Sequence, residues 1–131
     1  MNQAKNEFMQ GKKILIIDDD SRNIFALSAT LKAEGFETIA ATSVDEGLVS
    51  MRNESGIAIV LLDMMLPDID GYEALKIIRN DRSLANMPVL AVTAQAMAGD
   101  REKCLEAGAD GYISKPINVE FLLKEITALV N

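Results

Sequence analysis

The chain has 131 residues, near the usual size of one domain and long enough to bury roughly two thirds of the surface its unfolded form exposes. It is 49% hydrophobic and 25% charged, with few aromatics, no Trp and no His, a balance that suits a soluble α/β protein and not a disordered one. Thirteen basic against twenty acidic residues leave a formal charge of -7, which argues against nonspecific binding to nucleic acid or to an anionic membrane surface.

Residues 1–11 read as an N-terminal tail with no apolar core of the kind a secretion signal needs, ahead of one domain over 12–131. "KKILII" (12–17) reads as a fully buried strand, and "SRNIFALSATLKAEG" (21–35) as a helix with Ile24, Leu27 and Leu31 on one face and Gly35 as its stop. "FETIAAT" (36–42) is a second, weaker strand. "SVDE" (43–46) matches a capping box, Ser43 with Glu46 three residues on, and opens a short helix carrying Val44, Leu48 and Met51. "GIAIVLLD" (56–63) is the most apolar strand. "LPDIDGYEALKIIRN" (66–80) begins as a turn and becomes a helix through Ala74, Leu75 and Ile78. Pro88 introduces the strand "VLAVTA", Gly108 ends the helix in "GDREKCLEAG", "GYISKP" forms a short fifth strand, and Asn118 caps "VEFLLKEITALVN".

Five continuous apolar strands alternating with five helices predict a parallel sheet covered on both faces and built by right-handed crossovers. None of the apolar runs approaches the ~20 residues that span a bilayer. The lone thiol, Cys104, excludes an internal disulfide and fits a reducing cytoplasm. With no linker or repeat, any function must sit on this one sheet, and in open α/β sheets that place is the crevice at the carboxyl ends of the strands.

Those ends are rich in chemistry: Asp18, Asp19 and Asp20 after the first strand, Asp63 after the third, Thr93 after the fourth and Lys115 after the fifth. If the first and third strands are neighbours, three or four carboxylates face one another and raise each other's pKa. A hard divalent cation removes that repulsion, and oxygen ligands are what Mg2+ or Mn2+ accept; with no imidazole, zinc is a poor candidate. Ser-His-Asp and Cys-His catalysis are unavailable. A single strand-end Asp is more often a turn former or N-cap, and Asp20 or Ser21 serves the next helix in that way. Lys115, before Pro116, points its ammonium at the acids as an ion-pair or phosphate partner. Thr93 could reflect strand propensity alone and Tyr112 edge packing; Met64 and Met65 read as filler.

"ILIIDDD", "VLLDMMLPDIDGYEAL", "VTAQA" and "GYISKP", in this order, resemble the four signature blocks of the receiver domains of two-component response regulators, over about Lys12 to Val130. The resemblance implies a flavodoxin-like (βα)5 sheet in the order 2-1-3-4-5. It implies that Asp63 is the phosphoacceptor, that Asp18, Asp19 and Asp63 with the backbone carbonyl of Met65 hold Mg2+, that Thr93 and Lys115 contact the phosphoryl oxygens, and that Tyr112 is the switch residue. The phosphoryl donor is then a histidine kinase, a histidine phosphotransfer protein or a small acyl phosphate. The output is a helix 4/strand 5/helix 5 surface that binds a downstream protein or a second copy of the chain.

Met65 offers no polar side chain to the pocket, whereas Gln95 is a polar neighbour able either to steer or to exclude the attacking water, which leaves the phosphate lifetime open. No output domain follows the fifth helix, as expected of a single-domain regulator or of a receiver excised from a hybrid histidine kinase. A flavin carrier would need a phosphate-cradling loop where the three aspartates stand. A phosphatase of the haloacid dehalogenase type also forms an aspartyl phosphate, but it expects acids two apart after the first strand and a cap insertion for which this chain has no room. The expectation is a signalling switch, not a metabolic enzyme.

Overall fold

The computed structural model describes residues 12–94 and 98–130, so the predicted tail and Gln95 lie outside the described residues. Five strands, β1 (Lys13–Ile17), β2 (Glu37–Ala41), β3 (Ile57–Asp63), β4 (Val89–Thr93) and β5 (Gly111–Ser114), alternate with five helices. The helices are α1 (Ser21–Ala33), α2 (Val44–Asn53), α3 (Gly71–Asn80), α4 (Asp100–Ala107) and α5 (Val119–Val130). The sheet is parallel throughout, in the order β2-β1-β3-β4-β5, as the resemblance implies.

The unbroken apolar runs have a direct cause. Successive side chains of a strand point to opposite faces, so a strand covered on both sides must be apolar at every position. Leu15, Ile17, Val60, Leu62 and Ala91 join Val44, Leu48 and Met51 of α2, Ala74, Leu75 and Ile78 of α3, and Cys104 of α4 in one core. Their neighbours in the strands, Ile14, Ile16, Ile59, Leu61, Leu90 and Val92, form the other core with Leu31 of α1 and Leu122 and Ile126 of α5. β2 is an edge strand with Glu37 and Ala40 exposed, which is why its sequence signal is the weakest.

The helix starts are set by side-chain caps. Asp20 accepts from the Arg22 N–H, Asp70 from Tyr72 and Asn118 from Phe121. Ser43 accepts from the Glu46 N–H, and the Glu46 carboxylate reaches back to the N–H of Thr42, one residue earlier than in the usual capping box. α4 differs: its N-cap position is Gly99, with φ +84 and no side-chain cap, and Cys104 is its one buried residue.

Arg79, at the end of α3, was not foreseen as a structural residue. Its guanidinium donates to the carbonyls of Gly108, Ala85 and Met87 and pairs with the Asp110 carboxylate at 2.8 Å. Asp110 in turn accepts from the Val89 N–H. One side chain thereby fixes the entry to β4 and the turn from α4 into β5. Arg79→Ala should lower the unfolding free energy by about 2 to 3 kcal/mol in urea titrations, because several acceptors lose their partner at once. Lys, a point donor without the planar fork, should restore only part of it. A change for the Ala variant no larger than that of an ordinary surface substitution would contradict this role.

Candidate functional site

Strand register assembles the site. Ile17 pairs with Leu62, so the next residues, Asp18 and Asp63, stand side by side where β1 and β3 end; Asp63 pairs with Val92, and Thr93 with Ser114. Residues 18, 63, 93 and 115 therefore gather on one edge although they are distant in the chain. The Lys115 N–H donates to the Thr93 carbonyl at 2.8 Å, which couples the ends of β4 and β5 directly.

Asp18 is 6% exposed and Asp63 5%, an unusual depth for carboxylates unless they are paired. The pairing is visible. Asp18 Oδ1 accepts from the Asp20 N–H at 2.9 Å, and Asp63 Oδ1 accepts from the Met65 N–H at 2.9 Å. Lys115 Nζ lies 3.6 Å from Asp18 Oδ2 and 3.5 Å from Asp63 Oδ2, so one ammonium serves both acids. Thr93 is buried beside them. Asp19 projects outward, yet one oxygen from each of Asp18, Asp19 and Asp63 lies within 4.8 Å of the others, a spacing that fits a small divalent cation held by oxygen ligands.

Asp20 does not join that cluster. Its carboxylate caps α1, and the Arg22 N–H and guanidinium beside it hold its pKa below the usual carboxylate range. Of the two N-cap candidates in the sequence, Asp20 is the one used. Gly71 allows the start of α3 to pack directly on the residue after Asp63, because a Cβ there would stand 2.7 Å from the Met64 Cα. Beneath the acids an open cleft of 530 Å³ descends between α1 and α5, walled by Asn23, Ala26, Leu27, Ile117 and Val119.

Tyr112 lies away from the acids, and a neighbourhood that its sequence position did not disclose holds it. Its hydroxyl donates to Asp100 Oδ2 at 3.0 Å, while Tyr72 of α3 donates to Asp100 Oδ1 at 2.9 Å. Cys104 Sγ lies 4.0 Å from the Tyr72 hydroxyl, and Lys103 Nζ stands 4.6 Å above the Tyr72 ring. Nothing in the sequence marks Tyr72 or Asp100, since their meeting depends on how α3, α4 and β5 pack.

A doubly wound parallel sheet with three acids and a lysine at its carboxyl edge is the architecture of a phosphorylation-dependent signalling receiver. The chain belongs to that family: the model of the response regulator receiver domain matches residues 14–127. It is 36% identical over 115 residues to the polar-differentiation response regulator DivK of Brucella ovis, which covers 88% of this chain and 93% of the relative. A CheY-like receiver domain protein from Methanospirillum hungatei superimposes with a TM-score of 0.78 at 36% identity, covering 89% of this chain and 91% of that one. The receiver domain of a Pseudomonas aeruginosa sensor histidine kinase, solved with a magnesium ion coordinated in its active-site cleft, gives 0.81 at 30% identity, with 92% and 98% covered. Domains of this family interact with histidine kinases or phosphotransfer proteins. Among the described residues, no helix is long and apolar enough to cross a membrane.

Burial and the shared Asp100 acceptor push the Tyr112 hydroxyl from its ordinary value near 10 up to about 12, and raise Tyr72 further, the Cys104 thiol adding to the effect. The chain has two tyrosines, so there is no background. At pH 10, where free tyrosine is half ionised, the folded protein should show almost no tyrosinate absorbance. A tyrosine with a raised folded pKa binds its proton where the unfolded chain has lost it, so the stability it contributes is complete below pH 10 and falls from there towards 12. Half-ionisation at pH 10 in the folded protein would contradict the buried bridge.

Proposed function

We propose that this chain is a switch that accepts a phosphoryl group on Asp63. The observation that carries the reading is Lys115, whose ammonium stands within ion-pair distance of both Asp63 and Asp18 at the end of the sheet. Asp63 Oδ1 is held by the Met65 N–H, which leaves Oδ2, the oxygen nearest Lys115, to act as nucleophile. It attacks phosphorus, the bond from phosphorus to the donor's nitrogen or oxygen breaks, and the leaving group keeps the electron pair. No redox change is involved. Lys115 then moves its charge from the carboxylate to a phosphoryl oxygen, and the Thr93 hydroxyl serves a second one.

Asp18, Asp19 and Asp63, with the Met65 carbonyl, are the residues that would hold Mg2+ or Mn2+, and the spacing of the three carboxylate oxygens supports the fit. Such an ion, when bound, supplies positive charge against which the phosphoryl oxygens are neutralised. Lacking His, the chain cannot be its own phosphohistidine donor, so a partner's phosphohistidine or a small acyl phosphate provides the group. Hydrolysis of the aspartyl phosphate by water resets the switch. The rival phosphatase reading needs a free second acid two residues after Asp18, and the engagement of Asp20 with the N-terminus of α1 weighs against it.

The signal leaves through the segment after Thr93. Drawing Thr93 and Lys115 toward a phosphoryl group displaces the residues that follow them, and Tyr112 answers with a change in the α4/β5/α5 surface on which a target protein or a second copy binds. A coupling of about 1 to 3 kcal/mol is typical of such switches.

Incubation with acetyl phosphate and Mg2+ should add the mass of one phosphoryl group, and Asp63→Asn, nearly isosteric but far less nucleophilic, should abolish the gain while melting as a folded protein. Phosphorylation persisting in that variant would place the acceptor elsewhere and refute the assignment.

A further inference from the structure

The Tyr72–Asp100–Tyr112 bridge lies outside the acid pocket and has no part in the phosphoryl chemistry. It nonetheless ties together three elements, α3, α4 and β5. Asp100 is the first residue of α4, Tyr72 the second of α3, and Tyr112 the second of β5. Each carboxylate oxygen accepts one phenolic hydroxyl, so both bonds are charge-assisted, and the acid is spent on two neighbouring elements instead of on its own helix.

The rest of α4 makes that attachment important. The helix has eight residues, one buried side chain, no side-chain cap, and a left-handed glycine at its entry, Gly99, around which a Cβ would meet nothing within 4 Å. A helix held by so little apolar contact depends on its few polar ties, and elements of this kind supply the mobile parts of switches. By contrast α3 buries Gly71, Ala74, Leu75 and Ile78, and can serve as a fixed post.

The bridge also belongs to a definable arrangement of the site. Both oxygens of Asp63 are engaged by protein donors, Oδ1 by the Met65 N–H and Oδ2 by Lys115, which is the arrangement of an unmodified carboxylate. We propose that Asp100 is a latch: by holding Tyr112 and Tyr72 together it stabilises the unphosphorylated arrangement and sets how readily α4 and Tyr112 move when Asp63 is modified. Tyr72 is then a positioning residue for the switch although it touches neither the acids nor the phosphoryl group. The inference rests on the reading of Asp63 as acceptor and Tyr112 as responder. An interaction made in one arrangement only shifts the equilibrium toward that arrangement, and any ligand that selects the other must overcome it.

The test is a titration with beryllofluoride, a mimic of the phosphoryl group, in Mg2+, followed by amide shifts of β5 and α4. The parent is compared with Tyr72→Phe, Asp100→Ala and the double variant. Either single change should tighten apparent beryllofluoride binding by about three- to tenfold, the factor that matches one hydrogen bond of ordinary net strength. The double variant should gain no more than the stronger single one, because both disrupt the same bridge. Tyr72→Phe keeps the ring and its packing, so it reports on the latch even if Asp100→Ala melts too low to use. Unchanged or weaker binding in Tyr72→Phe would overturn the latch, since a purely structural tie predicts that outcome. Fully additive gains in the double variant would overturn it as well. If the parent itself fails to bind, or Asp63→Asn binds as well as the parent, the acceptor reading falls and takes the latch with it.

Discussion

Two buried carboxylates, Asp18 and Asp63, end neighbouring strands of a parallel sheet, and the ammonium of Lys115 stands against both. Like charges at the separations found here cost on the order of 3 kcal/mol under protein-like screening, before the cost of removing each from water is added. A fold selected for stability alone would place leucines at these positions. On the function proposed above, the arrangement is a site for a cation and a phosphoryl group, in which the Lys115 ammonium shifts from the carboxylates to an arriving phosphoryl oxygen. Everything around it serves to keep the acids in place. The unbroken apolar strands fix their height, the parallel register fixes their neighbours, and the Asp20 and Met65 N–H groups fix the direction of the carboxylates.

The Lys115 N–H bond to the Thr93 carbonyl makes the ends of β4 and β5 one mechanical unit. A change in charge at Asp63 therefore reaches the start of the segment that leads into α4 without a long relay. At the far end of that segment Asp100 fastens α4 to α3 and β5 through two phenols. Polar contacts thus hold both the end of β4 and the start of α4.

Much of this was legible in the residues. Fully apolar strands are a signal of two-sided burial, so the sheet and its helices follow from patterns within a few residues of each other, whereas the strand order that brings Asp18, Asp63, Thr93 and Lys115 to one edge was implied by the resemblance to receiver domains. Caps were equally local, and Ser43, Asn118 and Gly108 act as their positions predict. Among the three consecutive aspartates the sequence left Asp20 and Ser21 as alternative caps, and the geometry decides for Asp20, while Asp18 and Asp19 stand in the cluster with Asp63. The Arg79 clamp and the Asp100 bridge were not legible at all. Their partners lie 29 to 31 and 12 to 28 residues away respectively, except where Arg79 reaches Ala85 and Met87, and no local periodicity encodes such meetings.

The central claim is that the acid cluster is arranged for a bound cation at the expense of the stability of the metal-free protein. Asp19 is the sharpest probe, because it is an exposed member of the cluster that can be neutralised without emptying the core. Thermal melts of the parent and of Asp19→Asn, each with and without millimolar Mg2+, measure both halves of the claim through the stabilisation that any ligand of the native state provides. The account predicts that the variant without divalent ions melts at or above the parent, and that Mg2+ raises the parent's midpoint clearly more than the variant's. Equal Mg2+ increments in the two proteins, or a variant that is less stable in the absence of metal, would contradict it.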